Sequence, residues 1–294
     1  MYGPAGERRL DERTLDWLPG YEASTPVRVG NAASGQFQLD VYGEVMDCLH
    51  QARRAGVPND TSAWDLQKAI MDFLEYAWRE PDEGIWEVRG PRRHFTHSKV
   101  MAWVAADRAV KAVEQGGLDG PADRWRRLRA DIHAEVCAQG YDPERRTFTQ
   151  SFGRPDLDAS LLMIPMVGFL PARDERVVGT VEANLCDDGF VRRYPAGTGD
   201  IDGLPGGEGA FLPCTFWLAD NLLLQGPSDE DRALLDRLTG LANHVGLLAE
   251  EYDPGRRRLI GNFPQAFTHV ALVNTADNLA LPDGPARSRG RDGG

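Results

Sequence analysis

The sequence predicts an all-α fold of stacked helical hairpins, either a solenoid or a closed α/α toroid, and three observations carry that prediction. Apolar residues recur at helical spacing in one segment after another. Strand-like alternation is scarce, and β-branched residues are scattered inside the helical patterns. The connections alternate between long loops rich in glycine, proline and aromatics and short links, with the long ones recurring about every 50 to 60 residues.

The clearest helix falls near 62–77, where Leu66, Ile70, Phe73, Leu74 and Ala77 share one face and Ser62 and Asp65 offer a cap. Eight more are expected at roughly 36–54, 96–115, 122–138, 156–170, 174–186, 209–225, 229–245 and 263–279, several opening at Asp, Ser or Thr and closing near Gly. Long loops precede the helices starting near 36, 96, 156, 209 and 263, whereas Gly116 to Pro121, Pro171 to Asp174 and Gly226 to Ser228 are short links. Hairpins joined in this way put the long loops at one end of the molecule, where functional residues gather. The stack of hairpins is expected over 1–280, and the last residues, ending GPARSRGRDGG without apolar content, are expected to form a disordered tail over 281–294.

Composition narrows the function classes. A length of 294 residues suffices for one large domain or two ordinary ones. The formal net charge of −12 repels phosphate backbones and anionic lipid, so neither nucleic acid nor a membrane surface is expected as a partner. No apolar run is long enough to cross a bilayer, and MYGPAGERRLDERTLDW has no apolar core after a basic start, so a cytoplasmic location is the expectation. Cys48, Cys137, Cys186 and Cys214 stand far apart, without CxxC spacing, and read as reduced, mostly buried thiols.

Chemistry concentrates in three long loops. Residues 79–95, REPDEGIWEVRGPRRHF, combine carboxylates, a tryptophan and arginines. A carboxyl held against an indole is poorly solvated when ionised, which suits it to donate a proton near neutral pH, and Glu87 directly follows Trp86. The plainer reading is an acidic loop paired with its own arginines. A second loop, GLLAEEYDPGRRRLIGNF over 246–263, brings Glu250, Glu251 and Asp253 to the same end. Two carboxylates from separate loops meet the need of glycoside hydrolysis, in which one protonates the leaving oxygen and the other activates water. The third, DDGFVRRYPAGTGDIDGLPGGEG over 187–209, offers Arg193, Tyr194 and Glu208 to sugar hydroxyls, and it carries neither a GxxxxGK[ST] nor a full GxGxxG.

Other chemistries fit poorly. His94 and His97 lack the further ligands of a metal site, so neither a metal nor another cofactor is expected. No GxSxG occurs, and Ser160 lies inside an apolar helix. Trp103, Phe216 and Trp217 fall at core-like helix positions, where packing explains them better than sugar stacking.

Three segments together, PDEGIWEVRGPRRHFTHSKVMAW, DGFVRRYPAGTGDIDGLPGGEGAFLPCTFWLAD and GLLAEEYDPGRRRLIGNFPQAFTHVALVNTA, resemble bacterial members of glycoside hydrolase family 15. That family holds glucoamylases, glucodextranases and some trehalases. The resemblance runs from the N-terminal YG through PVRVGNAASGQFQLDVYGEVMD to about residue 277. It implies a twelve-helix (α/α)6 toroid and an inverting reaction that releases glucose from α-glucosides of starch type or from trehalose. By motif, the Glu of IWEVR is the general acid, hence Glu87, and the first Glu of AEEYD is the general base, hence Glu250. Arg193 is implied to contact the glucose at the cleavage subsite, with Trp86 lining the pocket. The family's usual N-terminal β-sandwich and Trp-x-Arg-Asp motif have no counterpart in the sequence, and nine expected helices fall three short of twelve. A chain that begins inside the barrel is therefore expected, with apolar barrel edges through which copies associate and with impaired catalysis as the alternative to full activity.

Overall fold

The computed structural model describes residues 2–3, 5–183, 186–195, 209–226, 229–281 and 284–291. The chain divides into two compact units, Met1–Gln38 and Leu39–Gly294. In the first, β1 (Arg13–Thr14) pairs antiparallel with β2 (Arg28–Val29), and two short 3-10 turns complete what is described. The second unit is helical, with ten α-helices among the described residues.

These are α1 (Asp40–Arg54), α2 (Thr61–Ala77), α3 (Thr96–Glu114), α4 (Ala122–Gln139), α5 (Met163–Met166), α6 (Glu175–Glu182), α7 (Leu212–Gln225), α8 (Asp229–Thr239), α9 (Ala266–Ala280) and α10 (Pro285–Arg291). The first nine fall where the sequence places helices. The expected helix 156–170 is the least regular: a 3-10 turn over Ala159–Leu162 leads into the single turn of α5, which holds Pro165 and stops before Gly168. Similarly, α8 ends at Thr239, before Gly240.

Two local expectations are corrected. In α2 the cap is Asp60, whose carboxylate accepts from the Ser62 amide at 2.7 Å, rather than Ser62 or Asp65. The buried stripe is Trp64, Gln67, Ile70, Met71 and Leu74, leaving Leu66 and Phe73 exposed. Trp64 turns the helix this way, because its ring meets Trp125 of α4 edge-on at 6.0 Å while its indole donates to the Asp119 carbonyl. At the chain end, Pro285–Arg291 forms α10 within the segment expected to be a disordered tail. Its apolar content is indeed low, but Ala286 is buried, its amide donates to Asn278 Oδ1 at 3.0 Å, and Arg289 reaches Asp47 at 2.8 Å. Polar ties hold this helix where hydrophobic burial would not.

α3 is the central helix. It packs on α1 and α4 and is buried on every side from Thr96 to Ala112. Its buried charges must therefore be compensated. Arg108 bonds Asp47 of α1 at 2.7 Å, neighbouring Asp107, and the Val167 carbonyl at 2.8 Å. Asp107 also receives Lys111 and Arg129 of α4. Burial alone would push Asp47 up, but Arg289 and Arg108 pull it down to about 2. α7, nearly as buried, packs on α9 and α8 around Phe190, Leu212, Phe216, Leu238 and Ala271.

Short strands occur only in connections: β3 (Tyr141–Asp142) with β4 (Thr147–Phe148), β5 (Cys186–Asp187) with β6 (Phe190–Val191), and a sheet ordered β7 (Ala210–Phe211), β8 (Glu251–Asp253), β9 (Arg258–Ile260), all antiparallel. The long connections touch one another. Phe95 bridges Ser151, the Phe152 amide donates to the His94 carbonyl, the Ala159 amide donates to the Arg193 carbonyl, and β7 pairs with β8. At the short links, Arg173 donates to the Gln225 carbonyl at 2.7 Å. The four cysteines are in no disulfide, but only Cys214 is buried; Cys48 and Cys186 are exposed, which corrects the expectation of mostly buried thiols. No described helix is long and apolar enough to cross a membrane.

Two predictions test these contacts. Arg108→Met takes one cationic partner from each of the buried carboxylates Asp47 and Asp107, which keep Arg289 and Lys111 with Arg129, and is expected to cost about 1–3 kcal/mol in urea unfolding. Asp220 of α7, which accepts from Asn278 of α9 at 2.9 Å, is pushed by burial from the ordinary aspartate value of 3.8 to about 7. Its folded pKa lies above the unfolded one, so its contribution is complete below about pH 4 and is lost as pH rises through 7. Asp220→Asn should therefore gain in melting temperature over the parent chain between pH 5 and pH 8; a pH-independent difference would contradict the assignment.

Candidate active site

The loop between α2 and α3 is fastened from below by Asp82. This fully buried carboxylate accepts from the amides of Leu39 (3.1 Å) and Gly84 (3.2 Å) and from the Ser98 hydroxyl (2.8 Å). Burial pushes its pKa up, while those donors oppose the shift. Lys99, also fully buried, donates to the carbonyls of Trp78 (2.6 Å) and Glu80 (2.5 Å), and burial lowers its pKa to about 8. Lys99 and Ser98 of α3 thus grip both ends of the turn that leads to Trp86.

Within this turn the Glu87 amide donates to the Gly84 carbonyl and the Val88 amide to the Glu83 carbonyl, each at 3.2 Å. Two residues take left-handed backbone angles. Gly84 (φ 69°) must be glycine, since a Cβ there would lie 2.8 Å from the Phe95 ring. Glu87 has φ 55° without glycine's freedom, a strain of about 1–3 kcal/mol of the kind that persists where surrounding contacts impose it. Part of the plainer sequence reading is realised as well, because Glu83 pairs with Arg92 at 2.9 Å. Glu83 is thereby committed within the loop, and Glu87, directly after Trp86, is half-buried.

Trp86 stands at the centre of those groups. Its ring meets Phe211 edge-on at 5.9 Å and Trp217 at 6.2 Å and 32°. The Arg193 guanidinium lies 5.6 Å from the Trp86 ring and 5.3 Å from those of Tyr194 and Phe211. The indole nitrogen of Trp86 donates to both oxygens of buried Asp158, each at 2.9 Å. Thus Trp86, Arg193 and Tyr194 come together as the sequence suggests, whereas Glu208 lies outside the described residues. Trp217 is corrected: Trp103 and Phe216 are buried as core residues, but half-buried Trp217 faces Trp86. Phe211 and Trp217 are not legible as candidate site residues because each sits in an apolar run whose helical pattern explains it without function, and Asp158 reads as the cap of the turn that follows it.

Glu250 reaches the same assembly through the three-stranded sheet. The Leu212 amide donates to the Glu250 carbonyl at 3.0 Å, so the residue after Phe211 is tied to Glu250 while Phe211 itself packs on Trp86. The Glu250 carboxylate is fixed by Asn262, whose amide (3.0 Å) and side-chain nitrogen (2.9 Å) both donate to Oε2. Gly261 (φ 77°) allows this approach, since a Cβ there would stand 3.0 Å from Glu250 Cβ and Oε2. Neighbouring Glu251 points elsewhere and accepts from the Gly209 amide at 2.9 Å. His97 is buried in α3 and His94 stacks on Phe152; among the described residues no cluster of three or more His, Cys, Asp or Glu could hold a metal ion.

The strained turn yields a prediction independent of activity. At a left-handed position glycine is favoured over alanine, so Glu87→Gly should be more stable than Glu87→Ala by about 1 kcal/mol in urea unfolding. Equal stability would remove the left-handed turn from the account.

The chain is similar to several known proteins. The chain is 44% identical over 295 aligned positions to a trehalase of Mycobacterium tuberculosis, covering 99% of this chain and 43% of that protein. It is 40% identical to a trehalase of Thermoplasma acidophilum, over 91% of this chain and 46% of that one. The chain therefore spans less than half the length of the curated relatives it matches. Among solved structures, a glycosidase variant in complex with glucose superposes with a TM-score of 0.71 at 23% identity, over 90% of this chain and 75% of the other. A Saccharomycopsis fibuligera glucoamylase follows at 0.57 and 13%, over 83% and 69%. These likenesses place the fold among the six-hairpin toroids, as the sequence suggests. The sequence profile of glycosyl hydrolases family 15 matches residues 1–277, and the chain belongs to that family.

Proposed function

We propose that this chain carries the acid and base of an inverting α-glucosidase acting on trehalose, with Glu87 as the acid and Glu250 as the base. The observation that carries the reading is the convergence of two loops on Phe211, one bringing Trp86 and Glu87 and the other Glu250. Trehalose is preferred over starch-type substrates because the relatives at 40% and 44% identity are named trehalases, whereas the glucoamylase likeness is a likeness of fold.

The chemistry follows from the positions. Glu87 gives its proton to the glycosidic oxygen as the C–O bond breaks. A water on the opposite face of the sugar attacks the anomeric carbon and gives its proton to Glu250. Both bonds that Asn262 donates fall on Oε2, and Oε1 receives no hydrogen bond from the described residues, which suits Oε1 to take that proton. Trp86, Arg193 and Tyr194 form the wall on which the glucose ring is held, and Glu208 is assigned to the same wall from the sequence. An inverting reaction needs the two carboxyl groups about 6.5–9.5 Å apart, with the water between them.

A second reading, a sugar-binding or partner-dependent part of such an enzyme, is favoured by the α9 surface. Phe267, Val270 and Val273 are 69%, 58% and 57% exposed along one face, an apolar strip of the kind that another chain or another copy covers.

Glucose released from trehalose, maltose and maltotriose decides between the readings. On trehalose, β-glucose should appear first by proton NMR alongside the α-anomer released as leaving group; α-glucose alone would mean a retaining reaction. Glu87→Gln and Glu250→Gln should each lower kcat about 10²-fold or more. Gly261→Ala, which crowds Glu250 Oε2, should lower kcat without moving Glu87. Binding of trehalose without turnover in the parent chain would favour the second reading.

A further inference from the structure

Asp158 is a carboxylate placed behind the aromatic wall, and its partners are unusual for a helix cap. It caps the 3-10 turn Ala159–Leu162 by accepting from the Ser160 amide at 2.7 Å. It also accepts from Gln150 Nε2 at 2.8 Å and from the Trp86 indole through both oxygens. Burial pushes its pKa up, and the Ser160, Gln150 and Trp86 donors oppose that shift. Every partner is a donor, so the group serves as an acceptor throughout and nothing in the arrangement asks it for a proton.

A cap needs only one oxygen, which asparagine or serine supplies without the cost of a buried charge. In the parent chain the donors of Trp86, Gln150 and Ser160 use both oxygens of Asp158, which a carboxylate offers with no donor of its own. Two of the segments belong to the site. Trp86 directly precedes the left-handed step at Glu87, and the amide of Ala159, next to Asp158, holds the Arg193 carbonyl at 2.9 Å. The ring faces of Trp86 meet Phe211 and Trp217 by dispersion, which does not fix rotation in the ring plane. The bond from Nε1 does.

We propose that Asp158 is a positioning residue: it fixes the Trp86 indole from behind and, through it, the left-handed step that presents Glu87. This rests on Glu87 being the acid of the reaction proposed above.

The test combines a spectroscopic readout with kinetics. In 15N-labelled protein the Trp86 indole N–H signal, identified by its loss in Trp86→Phe, should be protected from solvent exchange in the parent chain. Asp158→Ala should abolish that protection and move the Glu87 amide signal. Asp158→Asn should keep both, because Gln150 Oε1, which has no partner among the described residues, can turn to accept from the new amide. On trehalose, Asp158→Ala should lower kcat about 10²-fold, the cost of a small misplacement of a reacting group, with KM within about threefold. In a Trp86→Phe background the same change should cost less than about threefold more, since its route to Glu87 is already gone. An unmoved Glu87 signal in Asp158→Ala, or an undiminished cost in the Trp86→Phe background, overturns the proposal and leaves Asp158 as a cap. If the parent chain releases no glucose, the proposed function fails while the two NMR signals still decide the role of Asp158.

Discussion

The complete burial of α3 is the constraint on which the rest of the structure depends. A helix enclosed on every side can keep charged residues only if each finds its partners inside the protein. Asp107, Arg108 and Lys111 solve this by drawing in α1, α4 and the carbonyl that ends α5. Ser98 and Lys99 solve it at the other end by binding the loop that leads to Trp86. The polar groups of one helix therefore organise both the packing of its neighbours and the base of the candidate site. The same pairing keeps Asp47 ionised and ties α10 to α1 through Arg289.

Above this base the site is assembled by aromatic contact. Trp86 comes from the loop after α2 and Phe211 and Trp217 from the β7–α7 segment, and Arg193 lies across two of these rings and Tyr194. Phe211 has two jobs, because its ring joins the aromatic group and its backbone pairs in the sheet with Glu251. The sheet then carries the register from the aromatic group to Glu250 and Asn262. A one-residue slip between β7 and β8 would exchange the directions of Glu250 and Glu251. The Gly209 amide that binds Glu251 and the Leu212 amide that binds the Glu250 carbonyl fix that register from both sides.

Much of this was legible in the sequence, for reasons that differ from element to element. The helices were readable because their apolar spacing is strong and their ends are marked by glycine, proline and capping residues, as at Asp174 before α6. The face of α2 was misread because Leu66 and Phe73 are as apolar as the residues that are buried, and only the position of Trp125 decides between the faces. Glu87 and Glu250 stood out because charged groups beside aromatics and glycines are conspicuous in a loop. Asp158 and Trp217 did not, since an aspartate before a helical turn reads as a cap and a tryptophan in an apolar helix reads as core. The helical end of the chain was hidden because polar bonds to Asn278 and Asp47, which have no sequence periodicity, stabilise it.

What is seen to hold the two candidate carboxylates differs, in a way that suits the roles proposed for them. Glu250 is fixed directly, by two bonds from Asn262 to one oxygen and by a glycine that leaves room for it. A group that must receive a proton from water needs one oxygen held and the other accessible. At Glu87 the backbone is strained and its neighbours are over-determined: Gly84 against Phe95, Asp82 beneath the turn, and Trp86 held by Asp158. A left-handed glutamate persists only if the surrounding contacts outweigh about 1–3 kcal/mol of strain. The anchors at Asp82 and Asp158 are buried, and each accepts hydrogen bonds from several parts of the chain. The stiffness of the turn at Glu87 is thus a property of the buried carboxylates behind it.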